Sequence, residues 1–260
     1  MEKFLKLIIK EAGFLAKGYY HAGVESKEKC GPTDIVTVAD KETSDFLIKK
    51  IREDYPDHGI ISEEVDTEIN PNAEYTWVID PIDGTRNFAN RIAFWCTMIG
   101  ITKNGQPYMG AIYDAMNDEL FFAEVGKGAF VNDQPIKVSK VEDPYTCFIN
   151  FSVGRFGNDS PYDTEYFSEY FKFYTNLCRP HGMWAMNFGS GLTGCHVAAG
   201  RIDAHVLNGL LYHDILAQFI IATEAGAKFT NCHGEIWKRG DKDIVVANPK
   251  LHVKLMKMFE

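Results

Sequence analysis

The chain has 260 residues, 45% of them hydrophobic, and a formal net charge of −9. That length and apolar content can bury a substantial core as one large or two small domains. The acidic balance excludes a sequence-independent grip on nucleic acid, which needs a basic face. It leaves room for a phosphorylated substrate, because bound cations reverse the local sign.

The six cysteines (Cys30, Cys96, Cys147, Cys178, Cys195 and Cys232) are scattered without a C-x-x-C pair and read as reduced core residues. No run is long enough to span a membrane. The N-terminus lacks the basic start, continuous apolar centre and small-residue cleavage site of a signal peptide, so a cytoplasmic protein is expected.

Residues 2–20 place Leu5, Ile8, Ile9, Ala12, Leu15, Ala16 and Tyr19 at helical spacing, which predicts a helix with one buried face. Lys29-Cys30-Gly31-Pro32-Thr33-Asp34 reads as a loop from its Gly-Pro pair. A second helix is expected over Lys41 to Asp54, with Asp40 where an N-cap would stand. Gly59-Ile60-Ile61-Ser62 is a brief apolar strand that runs into the paired acids Glu63 and Glu64.

Trp77-Val78-Ile79 is a short apolar run that reads as a buried strand ending at Asp80-Pro81. Proline fixes its own φ and pushes Asp80 towards an extended conformation. Ile82-Asp83-Gly84-Thr85-Arg86-Asn87-Phe88 follows, with Gly84 permitting a crowded backbone and Thr85 placed to cap a helix. Asp-Pro and Asp-Gly are also ordinary turn chemistry. Here, however, two carboxylates three residues apart leave a strand end beside a hydroxyl and backbone N–H groups. Hard oxygen ligands of this kind suit Mg²⁺, and a helix N-terminus beside them suits phosphate.

From Phe94 to Val138 the pattern turns to β-type runs at Cys96–Thr102, Met109–Asp114, Leu120–Val125 and Ala129–Val131. Cys147 to Val153 suggests a strand, and Tyr162 to Cys178 an aromatic-rich helix. Gly189-Ser190-Gly191 leads into a helix stopped by Gly200, with a strand after it. His213-Asp214 precedes the apolar helix Ile215 to Ala225, where capping is one role open to Asp214. Asp243 to Asn248 reads as a buried strand and Leu251 to Phe259 as a closing helix.

The stretch from Trp77 to Phe88 resembles the first signature of the inositol monophosphatase family, the Mg²⁺-dependent, lithium-inhibited phosphatases, and the likeness extends over nearly the whole chain. That family includes fructose-1,6-bisphosphatases of archaeal type, 3′(2′),5′-bisphosphate nucleotidases and a class of histidinol-phosphate phosphatase. The resemblance implies metal ligands at Glu63, Asp80, the Ile82 carbonyl, Asp83 and Asp214. It implies catalytic roles for Thr85, Glu63 and Asp40 in orienting the attacking water. Contacts to phosphate or substrate are implied for Lys29, Asp83, Gly84, Thr85, Gly189, Ser190 and Asp214, and Asp34 matches a position near the phosphate. The second signature departs from pattern: His213 stands where Trp, Tyr or Val is usual, Leu216 and Gln218 where small residues are usual, and Leu207 replaces a glutamate that grips ring hydroxyls. Arg86, His181, Met186, Asn187, Ser190 and His213 are candidates for the leaving-group pocket.

Together these elements predict an α+β chain of stacked helix and sheet layers. The resemblance makes that the αβαβα sandwich of the sugar phosphatases, with subdomains at 1–145 and 146–260 and the site in the cleft between them. Glu63, Asp80, Asp83 and Asp214 would bring about four negative charges into one cleft, and two or three Mg²⁺ ions would cancel them. The expected activity is hydrolysis of a small phosphorylated alcohol or sugar by a metal-activated water, without a phosphoenzyme. An inactive, regulatory family member is the alternative from another class. No nucleic acid or membrane is expected as a partner, and a homodimer is.

Overall fold

In the computed structural model, which describes residues 1–31, 34–153, 167–178 and 184–260, side chains are described except at 28–31, 34, 35, 167 and 184. Helix α1 (Glu2–Ala22) buries Leu5, Ile8, Ile9, Ala12, Ala16 and Tyr20 along one face, as their spacing predicts. The stretch read as a loop contributes instead to an antiparallel pair, β1 (Ser26–Gly31) with β2 (Asp34–Thr37). Helix α2 (Val38–Asp54) opens one turn earlier than expected, with Thr37 as its N-cap. Asp40 is therefore not the cap. It is the third helical residue and reaches back to the Thr37 N–H, completing a capping box.

A large sheet follows, built from β3 (Gly59–Ser62), β4 (Tyr75–Asp83), β5 (Cys96–Lys103), β6 (Gln106–Asp114), β7 (Glu119–Glu124), β8 (Gly128–Val131) and β9 (Gln134–Pro135). The strands lie in sequence order, parallel for β3 and β4 and antiparallel thereafter. Helix α3 (Thr85–Ala89) fills the connection from β4 to β5, with Gly84 rather than Thr85 as its N-cap. Strand β4 does not stop at Asp80. It runs to Asp83, with the register against β5 shifting between Asp80 and Asp83. The irregularity accommodates Pro81, which has no N–H to give the ladder, and the Thr97 hydroxyl donates to its carbonyl at 2.9 Å.

The second sheet has the order β11-β10-β12-β14-β13. Its strands are β10 (Phe148–Ser152), β11 (Trp184–Met186), β12 (Ala204–Asn208), β13 (Lys228–Thr230) and β14 (Asp243–Ala247). Four helices accompany it: α4 (Phe167–Cys178), α5 (Leu192–Ala198), α6 (Tyr212–Glu224) and α7 (Pro249–Met256).

Side-chain alternation along the strands sorts the core into three slabs. Trp77, Ile79, Ile99, Ile101 and Tyr113 pack against α1 and α2. Val78, Met98, Ile112 and Phe121 face the other way, onto α5, α6 and, beyond them, Ile244 and Val246 of the second sheet. Ile149, Val206 and Val245 on its far face meet Tyr170, Phe173, Leu251 and Leu255 of α4 and α7. The layers therefore run helix, sheet, helix, sheet, helix, and the fold is the αβαβα sandwich expected. Because both faces of each sheet are covered, strands such as β5 and β14 are buried along nearly their whole length.

Candidate active site

The even–odd rule that puts Trp77 and Ile79 against α1 and α2 aims Asp80 at the opposite side, towards the α5–α6 layer. Asp80 is 1% exposed, and its Oδ1 has no hydrogen-bond partner among the described residues. A buried carboxylate oxygen left unpaired is costly. The register shift then re-aims the chain so that Asp83 joins the same space. Gly84 turns it into α3 with φ 86 and ψ 36, the left-handed region. A Cβ there would also meet Ser190 Cβ at 3.1 Å and the Phe94 carbonyl at 3.2 Å.

Three aspartates share one device: a backbone N–H at a helix start holds one oxygen. Asp40 Oδ2 accepts from the Thr37 N–H at 2.7 Å and the Thr37 hydroxyl at 2.6 Å. Asp83 Oδ2 accepts from the Gly191 N–H at 2.6 Å and from the Ser190 hydroxyl. Asp214 Oδ2 accepts from the Leu211 N–H at 2.6 Å. Asp214 is thus the third residue of α6, reaching back, and not its N-cap, which is Leu211. Asp80, Asp83 and Asp214 each bring one oxygen within 4.8 Å of the others. Thr85 Oγ1 donates to the Ile82 carbonyl at 3.0 Å and lies 3.5 Å from Asp40 Oδ1. Glu63 follows β3, its N–H bonded to the Ile79 carbonyl at 3.1 Å, and lines the same cavity. His213 Nε2 stands 3.5 Å from Asp214 Oδ1 and 4.0 Å from Glu63 Oε2.

The electrostatics follow from crowding. Burial, with Glu63, Asp83 and Asp214 nearby, holds the Asp80 carboxyl well above the ordinary carboxylate range. Burial and then Asp214 push Asp83 up to about 7 against the opposing pull of Ser190 and Gly191. Burial pushes Asp40 up to about 7, while the Thr37 hydrogen bonds pull it down. A set of hard oxygen donors that cannot all ionise together, with a buried oxygen left unpaired, fits a divalent cation.

The cavity has a volume of about 840 Å³ and extends from these carboxylates to strands β10 and β12 of the second sheet. Gly84, Thr85, Gly189 and Ser190 line it near the acids, together with Arg86 and Asn187. Its far wall holds Asn150, Ser152, His205, Leu207 and Asn208. Met186, a candidate for this pocket, is 40% exposed and is not among the lining residues. The side chains of Lys29 and Asp34, and the whole of His181, lie outside the described residues.

Sequence reasoning missed Asn87, Asn150 and His205. Asn87 Nδ2 donates to the carbonyls of Phe94 and Phe188, each at 2.7 Å. Asn150 Oδ1 accepts from the Phe188 N–H at 2.9 Å, and its Nδ2 meets His205 Nδ1 at 2.8 Å. A polar residue in the middle of an otherwise apolar strand was the available signal for both Asn150 and His205.

The departures at α6 have a steric answer. A Cβ on Gly100 would stand 2.6 Å from Leu216 Cγ, and a Cβ on Gly194 would collide with Gln218 Oε1. Bulk on α6 is matched by its absence on β5 and α5. Gln218 Nε2 donates to the Asp214 carbonyl at 2.7 Å, so the larger residue also braces the turn that carries the aspartate.

The profile of the inositol monophosphatase family matches residues 1–260 of this chain. This chain belongs to the inositol monophosphatase family. The inositol-1-monophosphatase of Bacillus subtilis (strain 168) is 31% identical over 265 residues, covering 100% of this chain and 96% of that protein. The Nus factor SuhB of Pasteurella multocida is 29% identical over 252 residues, covering 96% of this chain and 92% of that protein. The crystal structure of the extragenic suppressor protein suhB from Bartonella henselae superposes with a TM-score of 0.89 at 27% identity, covering 100% of this chain and 98% of that one. Inositol monophosphatase family membership carries the reaction class, phosphoric monoester hydrolysis, on small phosphorylated substrates with metal ions. Among the described residues no helix is long and apolar enough to cross a membrane.

Proposed function

We propose that this chain is a Mg²⁺-dependent phosphomonoesterase acting on a small phosphorylated alcohol or sugar of the inositol 1-phosphate kind. The observation that carries the reading is the buried Asp80 Oδ1, unpaired among the described residues and set amid converging carboxylates, beside the Thr85 hydroxyl that donates to the Ile82 carbonyl. Asp80, Asp83, Asp214, Glu63 and the Ile82 carbonyl would hold two or three ions. When bound, such ions supply positive charge for phosphate oxygens and lower the pKa of water.

The chain's own residues do the rest. The Thr85 hydroxyl gives its hydrogen to the Ile82 carbonyl or to Asp40, so its oxygen accepts a hydrogen bond from the attacking water and orients it. The backbone N–H groups of Gly84 and Thr85 donate to the phosphate. Ser190 acts through Asp83, which its hydroxyl holds in place. Gly189 lets the chain approach the substrate. Water oxygen bonds to phosphorus as the ester P–O bond breaks, and the alcohol leaves with a proton.

The far wall favours an uncharged leaving group. Asn150, Ser152 and Asn208 offer neutral polar groups, and Leu207 gives an apolar contact. Residues 1–145 and 146–260 form the two subdomains of this reading, and a cytoplasmic homodimer is its expected form. A regulatory reading is raised by the relative named a Nus factor, but the complete acidic set supports catalysis. Phosphate release decides the matter. Inositol 1-phosphate, fructose 1,6-bisphosphate, histidinol phosphate and 3′-phosphoadenosine 5′-phosphate should be tested with Mg²⁺, with EDTA, and with Mg²⁺ plus lithium. Release that depends on Mg²⁺ and is greatest for inositol 1-phosphate supports the proposal. No release from any ester by protein that fails to bind Mg²⁺ would overturn it.

A further inference from the structure

Strand β12 runs beside β10, with His205 level with Asn150. Ala204 and Val206 turn to the slab that holds α4 and α7, so His205 and Leu207 turn the other way, and both line the cavity. The Asn150 amide is oriented by a group that can only donate. The Phe188 N–H stands 2.9 Å from one of its atoms, which must therefore be the oxygen, Oδ1. Its nitrogen, Nδ2, is left facing His205 Nδ1 at 2.8 Å, and that nitrogen too can only donate. His205 Nδ1 is then the acceptor and carries no hydrogen. Burial holds the His205 ring down to about 3, so the imidazole is neutral and its one N–H hydrogen sits on Nε2. Nε2 occupies the end of the ring away from the chain, is buried, and has no hydrogen-bond partner among the described residues. A buried N–H without an acceptor is costly.

We infer that His205 is a specificity-determining residue, its Nε2–H donating to an oxygen of the ester's alcohol part when substrate fills the cavity. The inference rests on the phosphomonoesterase reading above and adds the polarity of one contact. Leu207, two residues on, has no polar side-chain atom to offer, so on this face of β12 the alcohol meets one donor and one apolar surface. The donor is set before substrate arrives, because Asn150 fixes the tautomer and the Phe188 N–H fixes Asn150. An alcohol with a hydroxyl, ether or carbonyl oxygen at that wall satisfies the N–H. A hydrocarbon of the same size leaves it unpaired.

Two measurements test it. ¹⁵N NMR of the full chain labelled with ¹⁵N-histidine should show a ring protonated at Nε2 and bare at Nδ1, absent from His205→Phe. Inositol added with inorganic phosphate and Mg²⁺ should shift that Nε2–H signal, and phosphate with Mg²⁺ alone should not. Should His205→Phe fail to fold, His205→Gln serves for the assignment and the shift decides. Kinetics on two esters of similar size give the second readout. Inositol 1-phosphate carries ring hydroxyls, and cyclohexyl phosphate carries none. His205→Phe should raise KM for the first roughly threefold to tenfold, lower kcat far less, and leave KM for the second within about twofold. Damage to the fold would move both esters together. A ring protonated at Nδ1, an Nε2–H signal indifferent to inositol, or an unchanged ratio of the two KM values would overturn this inference and leave the phosphatase reading standing. No phosphate release from either ester by the wild type would overturn both.

Discussion

The Ser190 hydroxyl donates to Asp83 Oδ2, joining the end of β4 to the approach to α5 across 107 residues of sequence. The same oxygen takes the Gly191 N–H, so the first large sheet and the middle helix layer meet on one carboxylate oxygen. Asp83→Asn keeps the shape and removes the charge. It should abolish phosphate release while circular dichroism and thermal unfolding stay near wild type. Ser190→Ala leaves the charge and removes one of the two donors that hold this oxygen, the Gly191 N–H remaining. Its kcat should fall roughly tenfold to a hundredfold, as expected for groups that orient a metal ligand, and steady-state kinetics at saturating Mg²⁺ would show it.

Gly84→Ala should destabilise the protein by about 1–3 kcal/mol, because the backbone stands at φ 86 and the new methyl meets Ser190 and the Phe94 carbonyl. Urea unfolding would measure the loss. An unchanged midpoint would mean that the turn can relax without them.

Metal removal should reverse the way stability depends on pH. Without cations, Asp40 and Asp83 hold protons up to about pH 7, whereas unfolded aspartates lose theirs near 4. The folded state therefore binds more protons between those values, and its stability falls as pH rises through that window. Bound Mg²⁺ takes the place of those protons. Thermal unfolding in EDTA and in Mg²⁺ should show a small stabilisation by Mg²⁺ at pH 5 and a much larger one at pH 8. Equal stabilisation at both would contradict the linkage.

His205 contributes the opposite slope. Burial holds it down to about 3, and Asn150 is bonded to its Nδ1. The unfolded chain takes up a proton near 6.5 that the folded chain refuses, so stability is lost as pH falls from there towards 3. The slope is about 1.4 kcal/mol per pH unit for one such proton. His205→Gln, compared with wild type in urea at pH 6.5 and pH 4.5, should flatten the acid side by that order. The comparison of two proteins cancels the contribution of the carboxylates.

Much of this was readable from local pattern. The spacing of Leu5, Ile8, Ile9 and Ala12 fixed α1, and the apolar runs from Cys96 to Val131 located four strands of the first sheet to within a few residues. The acids at 80, 83 and 214 stood out because a strand end or a helix start carried each of them. What failed did so for tertiary reasons. Asp40 and Asp214 were placed one turn wrong within their helices, because the N-cap and the third residue are both satisfied by a short acid, and only the hydrogen bonds tell them apart. Strand β4 was cut at Pro81 because the bulge that tolerates proline depends on β5. No local signal pairs Gly194 with Gln218, which lie on different helices.

Asn87 ties the carbonyls of Phe94 and Phe188 together, the two rings stack with centroids 4.9 Å apart, and Asn150 holds the Phe188 N–H from the second sheet. Swinging one wall of the cavity away from the other would break this whole chain of contacts at once. Choice of ester should then be made on arrival, by whether an alcohol fits a mouth of fixed width, rather than by how well it drives a later closing motion. An enzyme built this way would tolerate related alcohols of the right girth and turn away larger ones before any bond is strained.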